Sequence, residues 1–220
     1  MTVMGGYLVP SILNSINYCF SAGVGNDVSF ERELSKSFNI ISFLTDASIS
    51  SLPCLDKNFV FTNKFIGTRT DKDQITLSDW IDSSIGDDPK GSLLKLDIEG
   101  AEYDVLLFED SSILAKFTVI VIEFHYVERL FQTDFFRMFD AILEKLYKNF
   151  SICHMHPNNC CGSVSFKNIN IVRTFELTFI RKDLIGQTTN HSQFSLPHPL
   201  DWKNVTNKPD IEMPFQWYQE

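Results

Sequence analysis

The segment Leu93-Leu94-Lys95-Leu96-Asp97-Ile98-Glu99-Gly100-Ala101-Glu102 holds the densest chemistry of the chain. It reads as an apolar strand over 93–97 that ends in an acidic turn and runs into a helix near 100–108. Open α/β sheets bind ligands at the carboxyl ends of their strands. Asp97 therefore stands where a cofactor or a reacting group would sit, with Glu99 as the second candidate. Glu102 falls in the first helical turn, where an acidic side chain favours the helix dipole by roughly 0.3–1 kcal/mol.

His125 closes the run Val119-Ile120-Val121-Ile122-Glu123-Phe124 and reaches the same sheet edge. An imidazole titrates near neutrality, so His125 is the leading candidate for a general base, with Asp97 and His156 behind it. Glu123 is expected to point into a helix layer. Upstream, Gly23-Val24-Gly25-Asn26-Asp27 follows an apolar strand over 16–22 and precedes a helix over 28–37, with Asp27 or Ser29 as its cap. Glycines there permit positive φ and let the backbone approach a ligand beside a helix N-terminus. Ala22, Gly23, Gly25 and Asp27 are thus cofactor-side candidates. A dinucleotide fingerprint needs Gly or Ala at position 28, where Val28 stands, which counts against NAD or FAD. Asp46 ends a short strand over 39–44 and lies 21 residues after Gly25. An acid at about that spacing accepts hydrogen bonds from ribose hydroxyls.

His154-Met155-His156-Pro157-Asn158-Asn159-Cys160-Cys161 is rich in metal-type ligands, and on a strand His154 and His156 would share a face. No spacing matches paired CxxC or HExxH, so no metal is expected. A polar loop lining the substrate side of the cleft is expected instead.

The elements that must position these residues alternate along the chain. A strand at 59–62 and a helix at 78–85 precede the turn-rich break 86–91. A helix at 134–147 presents Phe135, Phe139, Ile142, Leu143 and Leu146 on one face. Strands at 150–155 and 175–180 have no crossover helix between them and must pair antiparallel. The expected architecture is α/β: a three-layer αβα sandwich with a Rossmann-like sheet closed by an antiparallel strand pair. One domain over 1–187 is expected, with 188–220, rich in Pro, Asn and aromatics, as a tail wrapping its surface.

With a net charge of −9 in 220 residues, a nucleic-acid backbone is not the expected partner, since that contact needs clustered Lys and Arg. Most of the 20 phenylalanines should lie in the core. Five cysteines form no disulfide framework, and reduced thiols in a cytoplasmic setting are expected. The N-terminus shows no signal peptide, and no apolar run reaches the ~20 residues that span a bilayer. Glycosylation triplets at Asn149, Asn190 and Asn204 are taken as chance.

Together these pieces resemble the FkbM-like family of S-adenosylmethionine (SAM) dependent methyltransferases. The matching stretches are Gly5-Gly6-Tyr7-Leu8-Val9-Pro10, Phe20 to Glu31, Leu94 to Glu102, Ile122-Glu123-Phe124-His125, His154 to Cys160, Phe175 to Phe179 and Leu196 to Asp201. The resemblance implies a class I methyltransferase sheet of seven strands, the last antiparallel, with SAM above the carboxyl ends of the first strands. It implies Gly23 and Gly25 under the methionine part, Asp46 on the ribose and Leu77 near the adenine. It also suggests methyl transfer to a hydroxyl of a sugar, glycan or lipid-linked small-molecule acceptor. The acidic residue that many class I enzymes carry just before the first glycine is replaced here by Ser21-Ala22. Two other readings stay open: a non-catalytic SAM- or nucleotide-binding module, and a metal-assisted hydrolase built on Asp97, His125, His154 and His156.

Overall fold

A computed structural model describes residues 1–4, 6–86, 91–185, 196–214 and 217. Gly5, most of the 86–91 turn, residues 188–195 of the tail and the Asn190 triplet lie outside them. Seven strands form the central sheet: β1 (Tyr18–Ala22), β2 (Ile41–Thr45), β3 (Phe59–Thr62), β4 (Ser92–Leu96), β5 (Val119–Phe124), β6 (Phe150–Pro157) and β7 (Phe175–Arg181). Their order is β3-β2-β1-β4-β5-β7-β6. β7 runs antiparallel to both neighbours, and the other pairings are parallel. The winding reverses between β1 and β4, and that switch point is where such sheets open a crevice for ligands.

The helices are α1 (Ser29–Phe38), α2 (Leu77–Ile85), α3 (Glu102–Phe108), α4 (Ser111–Leu114) and α5 (Thr133–Tyr147). Strand alternation sorts the core into two faces. Phe20, Leu94, Leu96, Ile120, Ile122 and Phe124 pack with Trp80 of α2, Leu106 of α3 and Phe139 of α5. Cys19, Leu93, Val119 and Val121 point the other way, onto Phe30 and Leu34 of α1 and onto Val9, Leu13 and Ile16. Each fully buried side chain of this size contributes ~1.5–3 kcal/mol. The second layer is thus α1 plus the N-terminal segment, and it leaves polar residues of the sheet within reach of solvent at the carboxyl edge. Among the described residues no helix is long and apolar enough to cross a membrane.

Several expectations are corrected locally. α1 is capped by Val28 without a side-chain bond, while Asp27 Oδ1 accepts the Ser29 N–H at 2.8 Å, so Asp27 ties the turn from one position outside the cap. The His154–His156 segment is strand, because β6 runs through Pro157 and pairs with β7 to its end; the loop begins only at Asn158. Cys160 and Cys161 form a vicinal disulfide, while Cys19, Cys54 and Cys153 are free, so the expectation of reduced thiols does not extend to that pair. Three ribbons were not legible in the pattern: Thr2–Met4 with Tyr7–Val9, Phe65–Ile66 with Gln74–Ile75, and Ser163–Phe166 with Ile169–Val172. Their strands are too short to show a period.

The glycine turn after β1 and the acidic turn after β4 touch. Asp97 N–H donates to Ala22 O at 3.1 Å. Gly23 has φ 78°, and a Cβ there would lie 1.7 Å from the Asp97 carbonyl oxygen. Gly23→Ala is therefore expected to cost roughly 2–4 kcal/mol, from left-handed strain and forced separation of the two turns. Gly25 also has positive φ but nothing within 4 Å of its Cβ position, so Gly25→Ala should cost only ~1 kcal/mol. Urea unfolding of the two variants measures the difference.

Candidate active site

Two cavities open at the carboxyl edge, one on each side of the β4 turn. The first, of about 520 Å³, has Gly23, Val24 and Gly25 beneath it, Asp46 at one wall, and Phe65, Ile66 and Ile98 as apolar lining. The second, of about 570 Å³, is lined by Tyr7, Glu123, His125, Asn158, Glu176 and Trp202, together with Cys160, Cys161, Lys203 and Asn204. Asp27, Asp97 and Glu99 line both.

Asp46 is buried at the end of β2. Its Oδ2 accepts the Gly25 N–H at 2.8 Å and its Oδ1 the Ser48 N–H at 2.7 Å. An ionised carboxylate has about four acceptor positions, so each oxygen keeps one for a ligand. Ala22, expected on the cofactor side, is fully buried and lines neither cavity; its carbonyl accepts the Asp97 N–H. Leu77, expected beside the cavity, is instead fully buried in the core at the first turn of α2. The Thr76 hydroxyl caps that turn by accepting Asp79 N–H at 3.2 Å, which turns Leu77 inward. The apolar wall comes from the unforeseen Phe65–Ile66 ribbon.

The second cavity is built on sheet register. Glu123 of β5 pairs with Glu176 of β7, which pairs with His156 of β6. Asp97 lies one residue beyond the Leu96–Ile122 pair. Three carboxylates thus stand side by side on adjacent strands about 4.8 Å apart. Glu123 does not enter a helix layer: Phe124 and Ile122 take that face, and parity sends Glu123 to the cavity. Tyr7 Oη donates to Asp97 Oδ2 at 3.1 Å and to Glu123 Oε2 at 3.5 Å. Asn158 Nδ2 donates to Glu123 Oε1, and Asn204 Nδ2 to Glu176 Oε1, both at 2.9 Å. Beneath the row is buried Lys95, its Nζ 3.8 Å from Asp97 Oδ2 and 5.1 Å from the Tyr7 ring centre. Burial alone would lower its pKa, but Glu31, Asp97 and Glu123 around it raise it. Ser21 is buried and donates to Glu31 Oε1 at 2.5 Å.

His125 is held by the residue that reads from sequence as a helix-dipole partner. Glu102 is fully buried; its Oε1 accepts the His125 backbone N–H at 2.7 Å and lies 3.3 Å from Nδ1, while Oε2 accepts Gly100 N–H at 2.8 Å. Nε2 then faces Glu99, Glu123 and Asp97 at 3.5, 3.7 and 3.9 Å. His156 is not part of this group. It is buried, with Nδ1 3.3 Å from Glu176 Oε2, and lines neither cavity. His154 pairs with Asp201 at 2.8 Å and secures the tail.

A family model described as the methyltransferase FkbM domain matches residues 9–150. The chain belongs to this family. The expected seven-stranded sheet with antiparallel β7 is present, so the class I methyltransferase architecture holds for this family member. No curated protein matches the chain. Two solved structures are similar to it at low identity. One is a fibrillarin/Nop5p complex, at 13% identity over 80% of this chain and 77% of that chain, with a TM-score of 0.46. The other is a putative rRNA-methylase from Clostridium thermocellum, at 13% identity over 77% and 90%, with a TM-score of 0.40.

The crowding has a measurable consequence for the methyltransferase's stability. Burial and the flanking Asp97 and Glu176 charges raise Glu123 to about 8. Burial would lower His125, but the Glu102 hydrogen bond and the Glu102, Glu123 and Glu99 charges raise it to about 9. Both groups bind protons more tightly folded than unfolded. Their contribution to stability is fully present below the ordinary carboxylate and histidine ranges and is lost as pH rises through 8 and 9. The urea midpoint is expected to fall between pH 6.5 and 9, and to fall less in Glu123→Gln.

Proposed function

We propose that this chain is a SAM-dependent O-methyltransferase acting on a hydroxyl of a sugar, glycan or lipid-linked acceptor. The observation that carries the reading is the junction of two cavities at Asp27, Asp97 and Glu99, on the switch point of a methyltransferase-family sheet. The residues of the first cavity suit this cofactor. Gly25 leaves open space above its backbone, Asp46 keeps acceptor positions for ribose hydroxyls, and Phe65, Ile66 and Ile98 offer apolar surface to a base. Carboxylates of the shared rim replace the absent acid at 21–22 as partners for a cationic amine. Bound there, SAM supplies an electrophilic methyl group on its sulfonium.

The chain's own part is to hold the acceptor oxygen in line, and positioning of that kind contributes at most ~7–11 kcal/mol. In the second cavity the exposed Trp202 ring offers a face on which a sugar ring stacks. Asn158, Asn204 and the carboxylate row hydrogen-bond its hydroxyls. Asp97 is placed to receive the proton that the reacting hydroxyl loses, with Glu99 and His125, whose imidazole is neutral only above about 9, beside it. We read 196–214 as part of the same domain, since that stretch supplies Trp202, Lys203 and Asn204 to the cavity. With a net charge of −9, nucleic acid is not the proposed acceptor.

Calorimetric titration tests the cofactor: SAM should bind with NAD silent, and Asp46→Ala should weaken SAM by roughly 10–100-fold, the worth of hydrogen bonds to a charged group. With an identified acceptor, Asp97→Asn should lower turnover by roughly 10²–10⁴-fold. A folded chain that ignores SAM would overturn the reading. Tight SAM binding with no transfer across a broad acceptor panel would make it a binding module instead.

A further inference from the structure

The carboxylate row and the imidazole beside it are more than a hydrogen-bonded cluster. One ligand atom each from Asp97, Glu99 and His125 can be chosen so that all lie within 4.8 Å of one another. We infer that Asp97, Glu99 and His125 bind a hard divalent cation, Mn²⁺ or Mg²⁺, at the junction of the two cavities, with its remaining positions open to acceptor oxygens.

Two observations support the site. First, His125 Nε2 faces oxygens of Glu99, Glu123 and Asp97 at 3.5, 3.7 and 3.9 Å. These separations are at or beyond the long end for a hydrogen bond. They exceed by less than an ångström the ~3.0 Å between adjacent ligands that follows from metal–ligand bonds near 2.1 Å at right angles. Small side-chain movements would close the shell, and Glu99, 85% exposed, is free to make them. Second, Nδ1 lies against the fully buried Glu102 carboxylate. A carboxylate behind a histidine's other nitrogen is the arrangement that orients imidazole ligands toward metals.

The ligand chemistry selects the ion. Two carboxylates with one imidazole and open positions suit Mn²⁺ or Mg²⁺, since the carboxylate majority sets this group apart from the imidazole- and thiolate-rich sites of zinc. An acceptor offering two neighbouring oxygens would be fixed by the ion beside the cofactor cavity; this last step rests on the methyltransferase reading, but cation binding does not.

Chelator-treated full-length protein titrated with MnCl₂ tests the site, with free Mn²⁺ followed by electron paramagnetic resonance. One saturable site per chain is expected, with Mg²⁺ as competitor. Glu99→Gln, a change at an exposed side chain, and His125→Ala should each weaken Mn²⁺ by at least about tenfold. Asp46→Ala should leave Mn²⁺ affinity unchanged. Bound Mn²⁺ should show a nitrogen coupling that disappears in His125→Ala. No saturable Mn²⁺ binding by folded protein, or binding indifferent to both substitutions, would overturn the inference. SAM calorimetry reads the other proposal separately: SAM binding without Mn²⁺ binding sinks only the cation, and the reverse sinks only the cofactor.

Discussion

The register that aligns Asp97, Glu123 and Glu176 across β4, β5 and β7 is the constraint on which the site depends. Strand spacing brings three carboxylates closer than water-screened charges would settle, and the surrounding residues answer this arrangement. Tyr7 comes from the N-terminal ribbon, Asn158 from the loop after β6 and Asn204 from the tail, and each donates to a member of the row. Lys95 supplies positive charge from below, and Glu102 turns the His125 ring toward the row from the side. Segments far apart in sequence are recruited to one edge because buried carboxylates are stable only with hydrogen-bond donors or counter-charges.

The row stands where it does because the two central turns interlock. Ala22 O accepts Asp97 N–H, and the missing side chain of Gly23 makes room for the Asp97 carbonyl. The β4 turn is thereby lodged between the two cavities, and Asp97 and Glu99 are exposed to both. Gly100, with φ 104°, lets the Tyr126 ring lie against the turn, where a Cβ would be 2.6 Å from it. Backbone packing fixes where the β4 turn lies, so Asp97 is held before any ligand arrives, while the exposed Glu99 side chain stays free to move. The methyl-transfer reading requires that property, since alignment is the main contribution a protein makes to an in-line displacement at an already electrophilic carbon.

The thin α-layer over the second face completes the arrangement. α1 and residues 7–16 cover the apolar half of that face, and Tyr7 reaches the carboxylate row at the carboxyl edge. The exposed Trp202 ring lines the cavity that opens above this edge.

How much of this could be read from the residues alone depends on the range of the interaction. Period and composition determined β4, β5 and α5, the antiparallel pair, the glycine turn, and Asp46 and Asp97 at strand ends, because these are local consequences of alternation and of glycine's freedom at positive φ. Leu77 was misplaced because its orientation depends on the Thr76 cap and on the core beneath α2. His156 shares the face of Glu176 and Glu123, but it stands one strand farther out and is buried against Glu176, so it lines neither cavity. Glu123, Glu176, Tyr7 and the hold of Glu102 on His125 were beyond sequence reading, since each depends on a register or contact between segments tens of residues apart. The sequence by itself determined which side chains end at the ligand-binding edge; only the tertiary structure decided which of them meet, because cross-strand neighbours are set by pairing and packing rather than by position along the chain.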